Sequence, residues 1–599
     1  MISSGPLLEE AKRLLRDGDH GPAAALCRSA IQADPQDFEA FYLLGFLHGQ
    51  RREFDEAQYL FGEASSRNPA SAEAFFMRGY ALQQLARDEE AISSFGNALA
   101  VNPQLVEAML NRAASLFRLR RYEEAARDYE TILALEPDFP FARGNLLFSR
   151  LHSCDWRGFE EQQAVIAAGV AAGNRVVAPF DSKTLALTAG DELICAKLWA
   201  ADQCPPTSWS PRAPAPTHRR VRIAYVSADL HAHALATLMV GVFEKHDRTR
   251  FETIAISLGP HDGSPMRARL HRAFDRFLDV RGKGDAAIAE TMQELETDIA
   301  IDLMGFTEGC RPGIFAHRPA PVQANYLGFP GTMGTDFMDY LIADEIVVPK
   351  SEYHHYAEKI VALPDSFMPA DSTRPIGSRA FTRTELGLPP NGFVFCCFNA
   401  SYKITPPIFA SWMRLLADIE GSVLWLGQAN DAATRNLKCE AEARGISADR
   451  LVFAPYLPSA ADHLARLKLA DIFLDTLPYN AHATAADALW VGLPVLTCLG
   501  EKFAGRVAAS LLRAAGLAEL IADSLDGYEA RARELARNPA MLDSIKARLQ
   551  RNRVTQRLFD TARFTRNLER AYLTMWERCQ RGLPPQSFAV SEAAADHPA

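Results

Sequence analysis

Small, apolar and helix-ending positions in the first quarter of the chain recur at one spacing. Pro35, Pro69, Pro103 and Pro137 fall at unbroken intervals of 34 residues. Gly45 and Gly79 keep the same interval, as do Phe61 and Phe95, with Tyr129 next. Ala23, Ala57, Ala91 and Ala125 form a second ladder, and Ala30, Ala64 and Ala98 a third. Small residues let two antiparallel helices approach closely, and an aromatic side chain fills the groove beside them. Proline then ends the second helix, because it lacks an N–H and clashes with the preceding turn. The pattern predicts a stack of helix pairs over 4–150, with four copies through Pro137 and a degenerate fifth after Pro140.

From about residue 218 the period changes. Short apolar runs alternate with helical segments: 222–227, 253–257, 298–304 and 322–328, then 393–398, 422–427, 450–455, 471–476 and 494–500. Continuous apolar strands separated by helices predict parallel sheets covered on both faces. Two such series predict two doubly wound α/β domains, 218–375 and 376–582, facing a cleft. A helical connector, 151–217, ends in the proline-rich stretch PPTSWSPRAPAP. The run FTRNLERAYLTMWERCQRG reads as a helix closing the second half, and 583–599 as a disordered tail.

Composition narrows the classes. A chain of 599 residues with 48% hydrophobic and 23% charged residues exceeds one core and is otherwise ordinary for a globular protein. A net charge of −10 gives no reason to expect a nucleic-acid partner. Ten scattered cysteines without a CxxC pair read as reduced thiols, hence a cytoplasmic location. The N-terminal sequence does not read as a signal peptide, and no apolar run is long enough to predict a membrane span.

The unusual polar residues of the second series sit just after its strands, where open parallel sheets bind ligands. Lys403, His463, Arg466, His482, Thr484 and Asp487 therefore point to one site. The set suits a phosphorylated, ribose-bearing ligand: cations for a diphosphate, a carboxylate for ribose hydroxyls, imidazole for stacking. Each residue alone has a plainer reading, a solvated lysine or a structural histidine. The run NAHATAADALWVGLPV adds weight, because its small residues let a helix N-terminus approach an anion closely. In the repeats, Asn111 and Asn145 share one position, and their amides would suit the backbone of an extended peptide; solvated polar residues are the alternative.

Long motifs then make a resemblance specific. The helix-pair array resembles the tetratricopeptide repeat. FNASYKITP, DTLPYNAHATAADALWVGLPVLT, GEKFAGRVAAS and RPAPVQANYLGFPGTMGTDFMDY resemble the O-GlcNAc transferase and SPINDLY-type glycosyltransferases over about 218–580. The resemblance implies the two-domain GT-B architecture and inverting, metal-independent transfer, and the catalytic half has no DxD triplet. It implies no cofactor, only a nucleotide-sugar co-substrate, by default UDP-GlcNAc. By position it gives Lys403 the donor diphosphate, His463 and Arg466 the base, His482 and Thr484 the diphosphate, and Asp487 the ribose. His233 in SADLHAHALATLM would lie near acceptor and sugar, and Gly328, Pro330, Gly331 and Thr332 would line the sugar pocket.

Transfer to a hydroxyl requires neutralising the leaving diphosphate, for which Lys403 is suited, and removing a proton, for which a histidine such as His233 is suited. Asp302 is a second candidate base, its alternative being a structural carboxylate. Ala400, Ala460 and Ala483 depart from the family's glutamine, lysine and threonine, which leaves the donor sugar open. The expected function is O-glycosylation of Ser/Thr in a protein docked on the array. A flagellin glycosyltransferase using a CMP-activated nonulosonic acid is the alternative, and an inactive repeat-protein adaptor a third.

Overall fold

The computed structural model describes residues 4–204 and 218–591, and the chain divides between Ser153 and Cys154 into two compact units. The first contains helices α1 (Ser4–Arg16), α2 (His20–Ala33), α3 (Phe38–Gln50), α4 (Phe54–Arg67), α5 (Ala72–Gln84), α6 (Asp88–Val101), α7 (Val106–Arg118), α8 (Tyr122–Leu135) and α9 (Ala142–His152). Helices α1, α3, α5 and α7 each pack on the next even one and successively touch one another, and α9 packs on α8. The alanine ladder lies in the seams: Ala23, Ala57, Ala91 and Ala125 are each 0% exposed. Asp37 and Ser71, one repeat apart, cap α3 and α5 by accepting backbone N–H groups of the first turn.

The turns inside the pairs carry a feature the sequence hides. Gly18, Arg52, Ala86, Arg120 and Cys154 follow at the repeat interval, and all have left-handed backbone (φ 83°, 61°, 57°, 59° and 51°). This conformation ends a helix at low cost only for glycine. Arg52, Ala86 and Arg120, each in the turn of a packed helix pair, adopt it without a glycine.

Gly79 and Gly45 differ in one measurable respect. A Cβ at Gly79 would stand 2.6 Å from the buried Phe95 ring, whereas one at Gly45 would stand 3.1 Å from Phe61. Helix propensity favours alanine at both by about 1 kcal/mol, while overpacking costs about 1–3 kcal/mol. Gly79→Ala is therefore expected to lower the melting temperature of the array and Gly45→Ala to leave it nearly unchanged. Equal effects in calorimetry of the full chain would refute the clash at Phe95.

In the second unit, the segment expected to be a connector is built into a domain. Its helices α10 (Phe159–Ala171) and α11 (Ala189–Gln203) bracket a short 3-10 turn, and Ala196 and Ala200 of α11 join the core of Ala224, Ile254 and Phe315. An apolar stripe of this kind is stable only when covered. The proline-rich stretch 205–217 lies outside the described residues.

The first sheet holds β1 (Val221–Ser227), β2 (Phe251–Ser257), β3 (Arg276–Asp279), β4 (Ile299–Asp302), β5 (Val322–Tyr326), β6 (Tyr340–Asp344) and β7 (Lys359–Leu363). The second holds β8 (Val394–Cys397), β9 (Val423–Gly427), β10 (Leu451–Ala454), β11 (Ile472–Leu474), β12 (Val495–Cys498) and β13 (Ile521–Ala522). A last strand, β14 (Phe588–Ala589), returns to the first sheet beside β7. The orders are β14-β7-β6-β5-β4-β1-β2-β3 and β10-β9-β8-β11-β12-β13, with parallel pairings throughout. Both sheets are doubly wound, as the alternating pattern predicts. The direction of winding reverses between β1 and β4 in one and between β8 and β11 in the other, and such switch points open a crevice at the carboxyl ends of the strands.

Two boundaries differ from the sequence reading. The helix Thr561–Gln580, assigned there to the second domain, packs on the first: Tyr572 and Glu569 meet Tyr225 and His246 of that domain in a buried hydrogen-bonded group. Residues 583–591 of the expected disordered tail are ordered by β14; 592–599 lie outside the described residues. A two-residue strand carries too little pattern to be seen without its partner β7.

Candidate active site

Six of the sequence-selected residues follow strands of the second sheet, and most gather at its switch point. Lys403 ends a 3-10 turn after β8 and is 8% exposed. Its Nζ donates to the Asn480 carbonyl at 2.9 Å and lies 3.7 Å from the centre of the Tyr479 ring. Burial lowers its pKa to about 7, against the pull of the nearby Asp475 carboxylate. The ammonium thus sits in a dry place with a neutral acceptor and a ring face beside it. An anion arriving there meets a cation with little solvent to displace.

Asp475, at the end of β11, underlies the cluster and was not selected from sequence. It is 1% exposed and accepts from the N–H groups of Thr476 (2.8 Å) and Ala481 (2.6 Å), the Thr497 hydroxyl (2.6 Å) and the Asn399 amide (3.3 Å). Burial raises its carboxyl to about 6, opposed by these bonds and by Lys403. Asn399 in turn donates to Thr476 and accepts from the Thr484 hydroxyl at 2.5 Å. Applied to strand ends as well as loops, the carboxyl-edge rule singles out Asp475.

His482 stands at the N-cap of the helix Ala483–Val491, whose first N–H groups have no intrahelical acceptor. Its Nε2 faces the Ala504 carbonyl at 3.3 Å, which fixes the neutral tautomer with Nδ1 free to accept. Burial and the Lys403 charge push its pKa well below the usual value. Asp487, on the same helix, accepts from Arg374 at 2.5 Å, a partner sequence reading missed. Arg374 lies in the crossing between the domains, 113 residues from Asp487, so no local signal links them.

His463 and Arg466 occupy one face of the helix Ala460–Leu467 after β10, as the i, i+3 spacing predicts. Arg466 donates to His463 Nδ1 at 2.8 Å and to the Pro455 carbonyl at 2.5 Å. Burial, then Arg466, lowers the histidine to about 4, so it is neutral and packs edge-on against Phe398. A neutral ring of fixed tautomer suits stacking and hydrogen bonding to a heterocycle.

The first sheet contributes separate groups at its own switch point. His233 caps α12 (Ala234–Lys245), with Nδ1 3.3 Å from both the Leu235 N–H and Asp229 Oδ2. Its side chain is 46% exposed. Helix α12 packs against the helix Ala483–Val491 of the second sheet. Asp302, at the end of β4, is 3% exposed, accepts the Met304 N–H at 2.9 Å, and burial raises its carboxyl to about 7. Among the described residues no hydrogen bond joins His233 or Asp302 to the Lys403 cluster.

The loop after β5 is tightly packed. A Cβ at Gly328 would meet the Leu303 carbonyl at 2.1 Å, and one at Gly331 would meet Lys183 Nζ at 2.5 Å. Pro330 is buried, and the Thr332 hydroxyl donates to Glu358 at 2.6 Å, so this threonine turns into its own domain. In the array, Asn111 Nδ2 donates to the Glu107 carbonyl one turn back on α7, and Asn145 lies on α9 at the same repeat position.

Comparison with known proteins gives the family and the fold. A family described as Glycosyl transferase family 41 matches residues 186–376 and 375–568, and tetratricopeptide repeats match 72–105 and 106–139. The probable UDP-N-acetylglucosamine–peptide N-acetylglucosaminyltransferase SEC of Arabidopsis thaliana is 38% identical over 392 residues, covering 63% of this chain and 39% of that protein. The UDP-N-acetylglucosamine–peptide N-acetylglucosaminyltransferase of Caenorhabditis elegans is 27% identical over 482 residues, 61% of this chain and 41% of the relative. This chain thus spans about two fifths of the length of these curated relatives. A solved mutant of the Thermobaculum terrenum O-GlcNAc transferase superposes with a TM-score of 0.63 at 28% identity, covering 97% of this chain and 98% of that one.

Proposed function

Since this chain belongs to glycosyl transferase family 41, we propose that it transfers N-acetylglucosamine from UDP-GlcNAc to a Ser or Thr hydroxyl of a protein held by the repeats. The observation that carries the reading is the buried Lys403 ammonium beside the N-terminus of the helix Ala483–Val491, at the switch point of the second sheet. The names of the relatives support the donor and the peptide acceptor.

In this reading Lys403 and the first N–H groups of the helix, that of Thr484 among them, hold the diphosphate, and His482 Nδ1 accepts from a ligand hydroxyl or N–H, while His463 and Arg466 meet the base. Asp487 reaches the ribose from its pairing with Arg374. The acceptor oxygen bonds to the sugar C1 as the bond from C1 to the diphosphate oxygen breaks, with inversion at C1. The diphosphate leaves with the bonding pair, and Lys403 stabilises its charge without a metal ion. The acceptor proton passes to Nε2 of His233, which is open to solvent, in the tautomer whose Nδ1–H donates to Asp229 instead of accepting from Leu235, rather than to Asp302, which is buried and committed to its own turn. The loop from Gly328 to Thr332 forms the floor beneath the sugar through its backbone. The acceptor lies along the odd helices of the array, with Asn111 and Asn145 towards its backbone, and the protein works in the cytoplasm.

A second reading, a CMP-activated nonulosonic acid carried to flagellin, is favoured by Ala400, Ala460 and Ala483, which offer a changed donor few side-chain contacts. Thermal melting with UDP, GDP, CMP and their sugar conjugates separates the readings. At about a hundredfold the Kd, UDP and UDP-GlcNAc are expected to add about 2.7 kcal/mol of stability. Preference for CMP selects the second reading, and no response to any nucleotide leaves an adaptor.

A further inference from the structure

Two lysines and one glutamate are buried together apart from the cluster described above. Lys183, Glu192 and Lys502 are 1%, 5% and 4% exposed. Lys183 Nζ bonds Glu192 Oε2, and Lys502 Nζ lies 2.9 Å from Oε1 of the same carboxylate. Lys502 also donates to the Leu185 carbonyl at 2.8 Å and the Ser182 carbonyl at 3.3 Å. Desolvating three charged groups costs about as much as their attraction returns, so stability alone is a weak reason for them. Their positions suggest another. Glu192 sits on α11, packed in the first domain, whereas Lys502 sits between β12 and the helix Val507–Ala514 of the second.

The loop that carries Lys502 also orients the Lys403 cluster. The Ala504 carbonyl, two residues on, accepts the Asn480 N–H at 2.9 Å and faces His482 Nε2 at 3.3 Å. The Asn480 carbonyl is the group that holds Lys403 Nζ. A continuous chain of contacts therefore runs from Glu192 through Lys502 and its loop to Asn480, His482 and Lys403. Without the Lys502 anchor, the loop keeps its own turn but loses its tie to Ser182, Leu185 and Glu192.

We propose that the Lys502–Glu192 pair is a latch between the two sheet domains that positions Asn480 and His482, and through Asn480 Lys403, for a nucleoside diphosphate. The proposal rests on the reading that this cluster binds such a ligand. Lys502 and Glu192 are positioning residues and touch no reacting atom.

The test is calorimetric titration of UDP into the full chain and into Lys502→Met, Lys502→Arg and Glu192→Gln. Lys502→Met leaves Glu192 paired with Lys183, which favours a folded variant. It is expected to weaken UDP binding about tenfold, the scale of lost outer-shell support. Lys502→Arg keeps a cation within reach of the carboxylate and should stay within about threefold of the wild type. If Lys502→Met does not fold, Glu192→Gln supplies the same comparison with the same expected direction. Wild-type affinity in Lys502→Met, or equal losses with Met and Arg, overturns the latch while the nucleotide reading stands. A wild-type chain that binds no UDP, GDP or CMP overturns both.

Discussion

Lys403→Ala is expected to lower kcat/KM for sugar transfer by ~10²–10³-fold, the scale of losing one preorganised group that stabilises leaving charge. The same change should reduce the melting response to UDP sharply without removing it, since the alanine leaves an uncharged space beside the diphosphate while the helix N–H groups remain. A pH dependence accompanies it. Burial holds the free ammonium at about 7, and only its protonated form attracts the diphosphate. UDP affinity should therefore be flat below pH 7 and fall towards tenfold per unit above it, with proton uptake on binding. In the Lys403→Ala variant the slope near pH 7 should vanish. Titration in buffers of different ionisation enthalpy measures the uptake. Undiminished turnover, or an unchanged slope in the variant, would remove Lys403 from the site.

The second large effect concerns Asp475. Asp475→Ala is expected to destabilise the second sheet's domain by about 3–5 kcal/mol, because the Ala481 N–H and the Thr497 hydroxyl lose their acceptor in the interior. For a domain of this size that is a fall of about 10 °C in melting temperature. Asp475→Asn should behave differently. Its amide oxygen can still accept from Thr476 and Ala481, and the Thr497 hydroxyl can turn to accept from the new NH₂.

What Asp475→Asn removes is charge. The carboxylate holds the Lys403 ammonium up against its burial, so losing it lowers the lysine further below 7. This variant should melt near the wild type, bind UDP poorly at neutral pH, and recover as the pH is lowered. The wild-type carboxyl, raised to about 6, keeps its own proton more tightly folded than unfolded. Its contribution to stability is therefore largest below pH 4 and declines as the pH rises through 6, a slope absent from Asp475→Asn. Equal melting losses in the Ala and Asn variants would mean that the charge, not the hydrogen bonds, holds the domain.

The sequence by itself determined the elements and the edge on which chemistry could sit. A 34-residue period specifies helix pairs, because each pair must offer the same small and aromatic faces to its neighbours. Alternating apolar runs specify parallel sheets, and polar residues after successive strands mark their carboxyl edge, which brought out Lys403, His482 and Thr484 together. The His463–Arg466 pair was legible because helical spacing is local.

Only the tertiary structure decided matters of long range. It placed Asp475 under Lys403, paired Arg374 with Asp487, turned Thr332 towards Glu358 and took the helix Thr561–Gln580 back to the first sheet. It also drew the apparent connector into a core, and set Arg52, Ala86 and Arg120 in left-handed backbone where the sequence offers no glycine. The reason is common to all of these. Periodicity and strand-edge rules report what a residue does with neighbours a few positions away. Burial, charge pairing and imposed strain depend on residues tens to hundreds of positions apart, which meet only when the sheets and helix pairs have packed.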